Sequence, residues 1–192
     1  MKQQSIHIGL LLFAVIFLFH SSLTAQSTEN MKIIENFEKP DKHSWQIIND
    51  GVMGGVSKSQ LEISDNIGIF SGNLSLENNG GFASTRASIR VIEQDSIQHI
   101  RIRVFGDGKK YQFRTRTNNN FDGTAYRAFF QTKNNEWTEH QFKAQDFVAV
   151  FRGMRVPQAP RLKLNQIQQI GFLISEKQEG SFTLKIDWIG FK

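Results

Sequence analysis

An antiparallel β-sandwich is the fold this sequence predicts, and three observations predict it. Apolar and polar residues alternate with period two along much of the chain, Gly- and Asn-rich turn compositions interrupt that alternation at short intervals, and no segment sustains a helical period. About ten short strands on such a spacing favour two stacked antiparallel sheets over alternating β and α units.

In chain order, Ser44-Trp-Gln-Ile-Ile48 reads as an aromatic strand, and Asn49-Asp-Gly-Val-Met-Gly-Gly-Val-Ser57 follows it as a shaped loop. Asn-Asp-Gly accepts the left-handed angles of a tight turn, and Gly54-Gly55 admits a second backbone or a ligand at close range. A second glycine pair lies in Asn78-Asn-Gly-Gly-Phe-Ala-Ser-Thr-Arg86. Ile100-Arg-Ile-Arg-Val-Phe105, Tyr111-Gln-Phe-Arg-Thr-Arg116 and Ala125-Tyr-Arg-Ala-Phe-Phe130 alternate as half-buried strands do, separated by the turn compositions Gly106-Asp-Gly108 and Asn118 to Gly123, and Lys133 to Glu136 follows as a further turn. Residues Gln145 to Leu164, with Gly153, Pro157 and Pro160, are expected to form a long crossover loop. At the C-terminus Phe182, Leu184, Ile186 and Trp188 are expected on one apolar face, alternating with Thr183, Lys185 and Asp187.

The first residues have the form of a secretory signal peptide. Lys2 supplies a positive start, Ile8 to Phe19 is almost wholly apolar, and Ser21-Ser-Leu-Thr-Ala25 offers small residues before Gln26. That apolar run is shorter than the ~20 residues that span a bilayer. Cleavage after Ala25 is expected, giving an exported protein, periplasmic or secreted, with no stable membrane span after removal of residues 1–25. Removing 25 of 192 residues leaves 167, enough for one domain with a core of its own, and residues 31–192 are assigned to it as a monomer. The chain has no cysteine, which excludes a disulfide scaffold, thiol catalysis and cysteine zinc sites.

Without Lys2, 22 basic residues face 18 acidic ones, a net charge of +4. The stretch from Arg86 to Arg127 alone carries +5, from seven Arg and two Lys against four acids. A net charge this small, with no nucleic-acid motif, argues against a nucleic-acid partner. Within the basic stretch Arg101 and Arg103 share a face, as do Arg114 and Arg116, and Ser84 and Arg86 lie on the side of Phe82. Neighbouring strands of this kind can set up a ladder of guanidinium groups, suited to carboxylates, phosphates or sugar hydroxyls; the plainer reading is the solvated face of a half-exposed sheet.

Catalysis finds little support. His43, His99 and His140, the histidines beyond the signal segment, share no metal-ligand spacing. Ser57 has no Gly-x-Ser-x-Gly elbow around it and reads as a turn-capping hydroxyl. Asp50, Asp107 and Asp122 lie on different loops, and nothing in the sequence sets the separation that paired-carboxylate chemistry requires.

Taken together, Trp45, the loop from Asn49 to Ser57, Phe70-Ser-Gly72, Gly80-Gly-Phe-Ala-Ser-Thr-Arg86, Gly106-Asp-Gly108 with Tyr111, Trp137, Phe151-Arg-Gly153, Ile170-Gly171 and Gly180 to Asp187 resemble the complex I intermediate-associated protein 30 family. The match runs over nearly all of the chain beyond the signal segment. The resemblance implies a galactose-binding-like jelly roll and a non-catalytic protein that binds other proteins during assembly of NADH:ubiquinone oxidoreductase. A carbohydrate-binding module on the same architecture is the alternative, so the partner is a protein or a glycan. Candidate binding residues are Asn49, Asp50, Gly51, Met53, Gly54, Gly55, Ser57, Gly80, Gly81, Phe82, Ser84, Arg86, Arg103, Arg116 and Trp137. Met53 either plugs the end of the sandwich or offers an adaptable contact. Trp45, Trp137 and Trp188 are read as core or sheet-edge residues, with a sugar-stacking platform as the other possibility. Asn49, Asp50 and Arg86 are expected to form one polar cluster. No cofactor is expected, though fold analogy makes Glu35, Glu38 and Asp187 candidates for a structural calcium.

Overall fold

The strands that the alternation predicts assemble into two facing antiparallel sheets. The computed structural model describes residues 31–39, 42–90, 97–120 and 122–192, so the expected signal segment lies outside the described residues. The strands are β1 (Lys32–Glu35), β2 (Trp45–Asn49), β3 (Lys58–Ser64), β4 (Ile67–Leu74), β5 (Ala83–Ser88), β6 (Ile100–Asp107), β7 (Lys110–Arg116), β8 (Ala125–Gln131), β9 (Asn134–Phe142), β10 (Val148–Phe151), β11 (Met154–Arg155), β12 (Gln169–Ile174) and β13 (Gly180–Phe191). Between them are short 3-10 turns, and the described residues contain no α-helix. The first sheet runs β3-β4-β13-β6-β9, with β1 added beside β13; the second runs β11-β10-β8-β7-β12-β5-β2. Among the described residues no helix is long and apolar enough to cross a membrane.

Alternation becomes burial between the sheets. Ile100, Ile102 and Val104 of β6 and Phe182, Leu184 and Ile186 of β13 point inward, as do Tyr111, Phe113 and Thr115 of β7. Phe113 sits at the centre, its ring centroid 5.4 Å from Phe172 and 5.5 Å from Phe142. Trp45 packs against the edge of this core, stacked at 5.8 Å on Phe37.

Two expectations are corrected. Trp188 does not continue the inward row of Ile186, because a bulge inserts Asp187 between the pairs Ile186–Val104 and Trp188–Arg103. The extra residue flips the parity, so Ile189 and Phe191 are buried instead and Trp188 joins Arg103 on the outward face. The span from Gln145 to Leu164 is not one loop either. It holds the β10–β11 hairpin, turned at Arg152 (φ 48°) and Gly153 (φ 84°), two successive left-handed residues of the kind a two-residue hairpin needs.

Candidate functional site

Asp50 is the hub that ties the two glycine-pair loops together. It follows β2 directly, opens a short 3-10 turn and is 2 % exposed. Its carboxylate accepts hydrogen bonds from the Ser57 amide (3.0 Å) and hydroxyl (2.5 Å), and from the amides of Gly81 (2.6 Å) and Phe82 (3.3 Å). Its own amide donates to the Phe82 carbonyl, 3.2 Å away. Burial pushes the carboxyl up, but the bonds from Gly81, Ser57 and Phe82 outweigh that and hold it below the usual carboxylate range. Ser57 completes the clasp: its hydroxyl also accepts from the Ser75 amide (3.0 Å) at the end of β4.

Two of the glycines are there for space and two for backbone angle. A Cβ on Gly55 would lie 2.3 Å from the Asp50 carboxyl carbon, and one on Gly80 would lie 2.6 Å from a carboxylate oxygen, so neither position admits a side chain unless Asp50 moves. Gly54 and Gly81 instead hold φ of +90° and +123°, which side chains rarely adopt.

This frame holds an apolar tip in solvent. Val52 and Met53 are 70 % and 68 % exposed and Val56 is 43 % exposed, so Met53 does not plug the sandwich. The tip borders an open groove that runs along β2 and is lined by Gln46 to Asn49, Gly51, Val52 and Ser57. Asn49 anchors the base, its side-chain oxygen accepting from Ser59 at 2.7 Å. Sequence reading picked out Met53 but missed Val52 and Val56. The available signal was that the turn carries three large apolar residues, where turns ordinarily carry polar ones.

The remaining candidates lie elsewhere. Arg86 does not join Asn49 and Asp50: on β5 its register partners are Gln46 and Gly171, and the charges acting on it are those of Arg116 and Asp122. The reason is satisfaction, since Asp50 is already surrounded by amide and hydroxyl donors. Ser84 donates to the Ile48 carbonyl at 2.6 Å and stitches β5 to β2, and the Phe82 amide serves the clasp. Arg116 shares the outward face of the second sheet with Arg86 and donates to the Gly123 carbonyl. Arg103 and Trp137 lie on the outward face of the first sheet. There Arg103 pairs with Asp187 and covers the Trp137 ring at 4.6 Å, while Trp137 meets Phe105 edge-on at 5.5 Å.

Glu35, Glu38 and Asp187 are not assembled into a cation site. Glu35 is a second buried clasp, accepting from His43 (2.8 Å), Trp45 (3.1 Å) and the amides of Asn36 and Phe37, while Asp187 is committed to Arg103 and Glu38 is exposed. Burial raises the Glu35 carboxyl, and the hydrogen bonds from His43, Phe37 and Trp45 bring it below its ordinary value. Among the described residues no three His, Asp or Glu side chains converge as metal ligands would.

Residues 35–186, which include both clasps and most of both sheets, match the family model of complex I intermediate-associated protein 30. The chain belongs to that family. It is similar to the mitochondrial complex I intermediate-associated protein 30 of Mus musculus, with 29 % identity over 185 residues covering 84 % of this chain and 56 % of the mouse protein. The chain thus spans little more than half the length of that relative. In three dimensions the family 11 carbohydrate-binding module from Clostridium thermocellum, solved in complex with a β-1,3-1,4-mixed-linked tetrasaccharide, superposes with a TM-score of 0.60 at 15 % identity, over 84 % of this chain and 94 % of the module. The family 11 module of the cellulosomal cellulase Lic26A-Cel5E of the same organism gives 0.61 at 14 % identity, with the same coverage. At such identities the likeness is one of fold, and the fold is the jelly roll that these modules share with this member of the complex I intermediate-associated protein 30 family.

Proposed function

We propose that this chain is a non-catalytic, assembly-factor-like binding domain that is exported and docks on a protein partner through the tip of the Asn49–Ser57 loop. The observation that carries the reading is the contrast within one loop, where a fully hydrogen-bonded clasp around Asp50 holds Val52, Met53 and Val56 out in water. A rigid frame lowers the ordering cost of binding, and exposed aliphatic side chains beside a groove are the surface a protein partner buries. Membership of the complex I intermediate-associated protein 30 family supports a protein as that partner. Export rests on the sequence of residues 1–25, and N-terminal sequencing of the protein from its host should begin at or near Gln26; an intact Met1 in a cytoplasmic fraction would refute it.

The test of docking is a pull-down from the host's envelope fraction with the wild-type chain and with the double variant Val52→Asp, Met53→Asp. A stoichiometric partner captured by the wild type should be lost from the variant, whose melting temperature should stay unchanged because both side chains already lie in solvent. Equal capture by the two proteins would remove the tip from the interaction. The glycan reading has one observation of its own, the half-exposed Trp137 beside Phe105 on the first sheet. Saturable binding of a β-glucan tetrasaccharide abolished by Trp137→Ala would favour it.

A further inference from the structure

The outward face of the second sheet carries a row of arginines that hairpin patterning alone does not explain. Register places Gln46, Arg86, Gly171, Arg114 and Arg127 side by side across β2, β5, β12, β7 and β8, with Arg116 one step along β7 on the same face. The outward side chains around the row are covered by their neighbours: Gln112, Gln169 and Leu173 are 2 %, 5 % and 5 % exposed. Gly171, itself buried, lies in register between Arg86 and Arg114. A Cβ there would stand 2.4 Å from the Thr85 carbonyl oxygen and 2.9 Å from the Arg86 Cβ, so the strand carries no side chain between the two arginines that flank it. Gln169 donates to the carbonyls of Asn118 (2.9 Å) and Asn120 (3.3 Å) in the turn after β7.

Arg114 donates its Nε to the neutral Gln112 side chain at 2.9 Å, and among the described residues no carboxylate pairs with Arg114 or Arg127; the Arg127 guanidinium lies instead over the Phe129 ring at 5.0 Å. Burial first, and then the neighbouring Arg127 and Arg116, pull the Arg114 guanidinium down to about 10. Asp122, the acid whose charge reaches Arg86 and Arg116, is exposed at the rim and pairs with Arg152 at 2.9 Å. A partly desolvated guanidinium without a counter-charge is unfavourable, and the group that relieves it is an anion with oxygens in the plane of the fork.

We propose that this row of arginines is an oxyanion site, in which Arg114 and Arg127 bind a phosphate or carboxylate group of a ligand, with Arg86 and Arg116 at its flanks. The site goes beyond the docking role of the loop tip and does not rest on it.

The experiment is calorimetric titration of the full chain with inorganic phosphate and, separately, with malonate, each at an ionic strength matched with sodium chloride. Saturable binding of at least one anion is expected, and the tighter of the two identifies the group the natural ligand carries. Arg114→Gln should weaken that binding at least ~10-fold, the loss of about one charge-assisted hydrogen bond, while Arg101→Gln, whose parent pairs with Glu139 on the other sheet, should leave it unchanged. Without anion, Arg114→Gln should melt at or above the wild-type temperature, since the substitution removes a partly buried charge that has no counter-charge. Arg127→Gln, at a half-exposed position, repeats the binding test if Arg114→Gln fails to fold. Binding indistinguishable from chloride, or equal affinity in wild type and both variants, would overturn the proposal.

Discussion

Asp50 and Arg114 are both charged groups drawn out of water, and the two regions that hold them treat charge in opposite ways. Around Asp50 four donors converge from two loops, and the carboxylate is held more firmly ionised than in water. Around Arg114 there is one neutral acceptor and two more guanidinium groups. Electrostatics inside a protein is unforgiving in both cases, because a poorly screened charge is costly unless something meets it. The first region meets its charge from within and so fixes the loop that presents Val52 and Met53. The second leaves the meeting to something outside the chain.

Asp50→Ala should have the largest effect on that comparison. It strands three backbone amides and takes one acceptor from the Ser57 hydroxyl, and roughly 3–5 kcal/mol of stability should be lost in urea denaturation. A loss under about 1 kcal/mol would mean that the clasp does not hold the loops. Gly55→Ala presses a methyl group into the carboxylate and should cost about 1–3 kcal/mol, more than Gly54→Ala, whose added methyl group meets open space and bears only backbone strain of about 1 kcal/mol. If the two alanine variants melt together, steric contact with Asp50 is not what excludes a side chain at position 55.

Acid separates the two regions further. Asp50 and Glu35 both titrate lower in the fold than their ordinary values of 3.8 and 4.5. Their contribution to stability is therefore complete above those values and is lost as pH falls through the lower, folded ones. Stability measured by denaturation should fall below about pH 4, and the double variant Asp50→Asn, Glu35→Gln should flatten that fall while lowering stability at neutral pH. An unchanged acid slope would assign the loss to other carboxylates. The smallest effect belongs to Arg103→Gln on the first sheet, where a partly exposed pair with Asp187 contributes no more than about 1 kcal/mol.

The two Arg-x-Arg repeats illustrate what the sequence conceals. Ile100-Arg-Ile-Arg and Phe113-Arg-Thr-Arg share a pattern, and the pattern correctly turns all four arginines outward. Whether an outward arginine finds a carboxylate depends on the next strand, which is β9 and β13 for the first pair, bringing Glu139 and Asp187, and β8 and β12 for the second, bringing Arg127 and Gly171. Strand order is a long-range property, and these neighbours lie far apart in the chain. The same distance explains the expected Asn49, Asp50 and Arg86 cluster, which looked complementary by residue type but was pre-empted by amides that no residue code displays.

Local chemistry, then, was legible: period-two alternation gave the strands and their inward faces, and the glycine pairs marked the two loops that meet at Asp50. Some local signals went unread, among them the Asp65-Asn66 turn (φ 52° and 61°) joining β3 to β4 and the Arg152-Gly153 turn joining β10 to β11. What the sequence by itself determined is therefore everything that depends on a residue and its near neighbours in the chain. Only the tertiary structure decided the bulge at Asp187, the closure of the clasp across 31 residues from Asp50 to Gly81, and the gathering of Arg86, Arg114 and Arg127 on one outward face. The physical reason is that hydrogen bonds and charges act through space, over a few ångströms, between groups whose separation along the chain is fixed by sheet order alone.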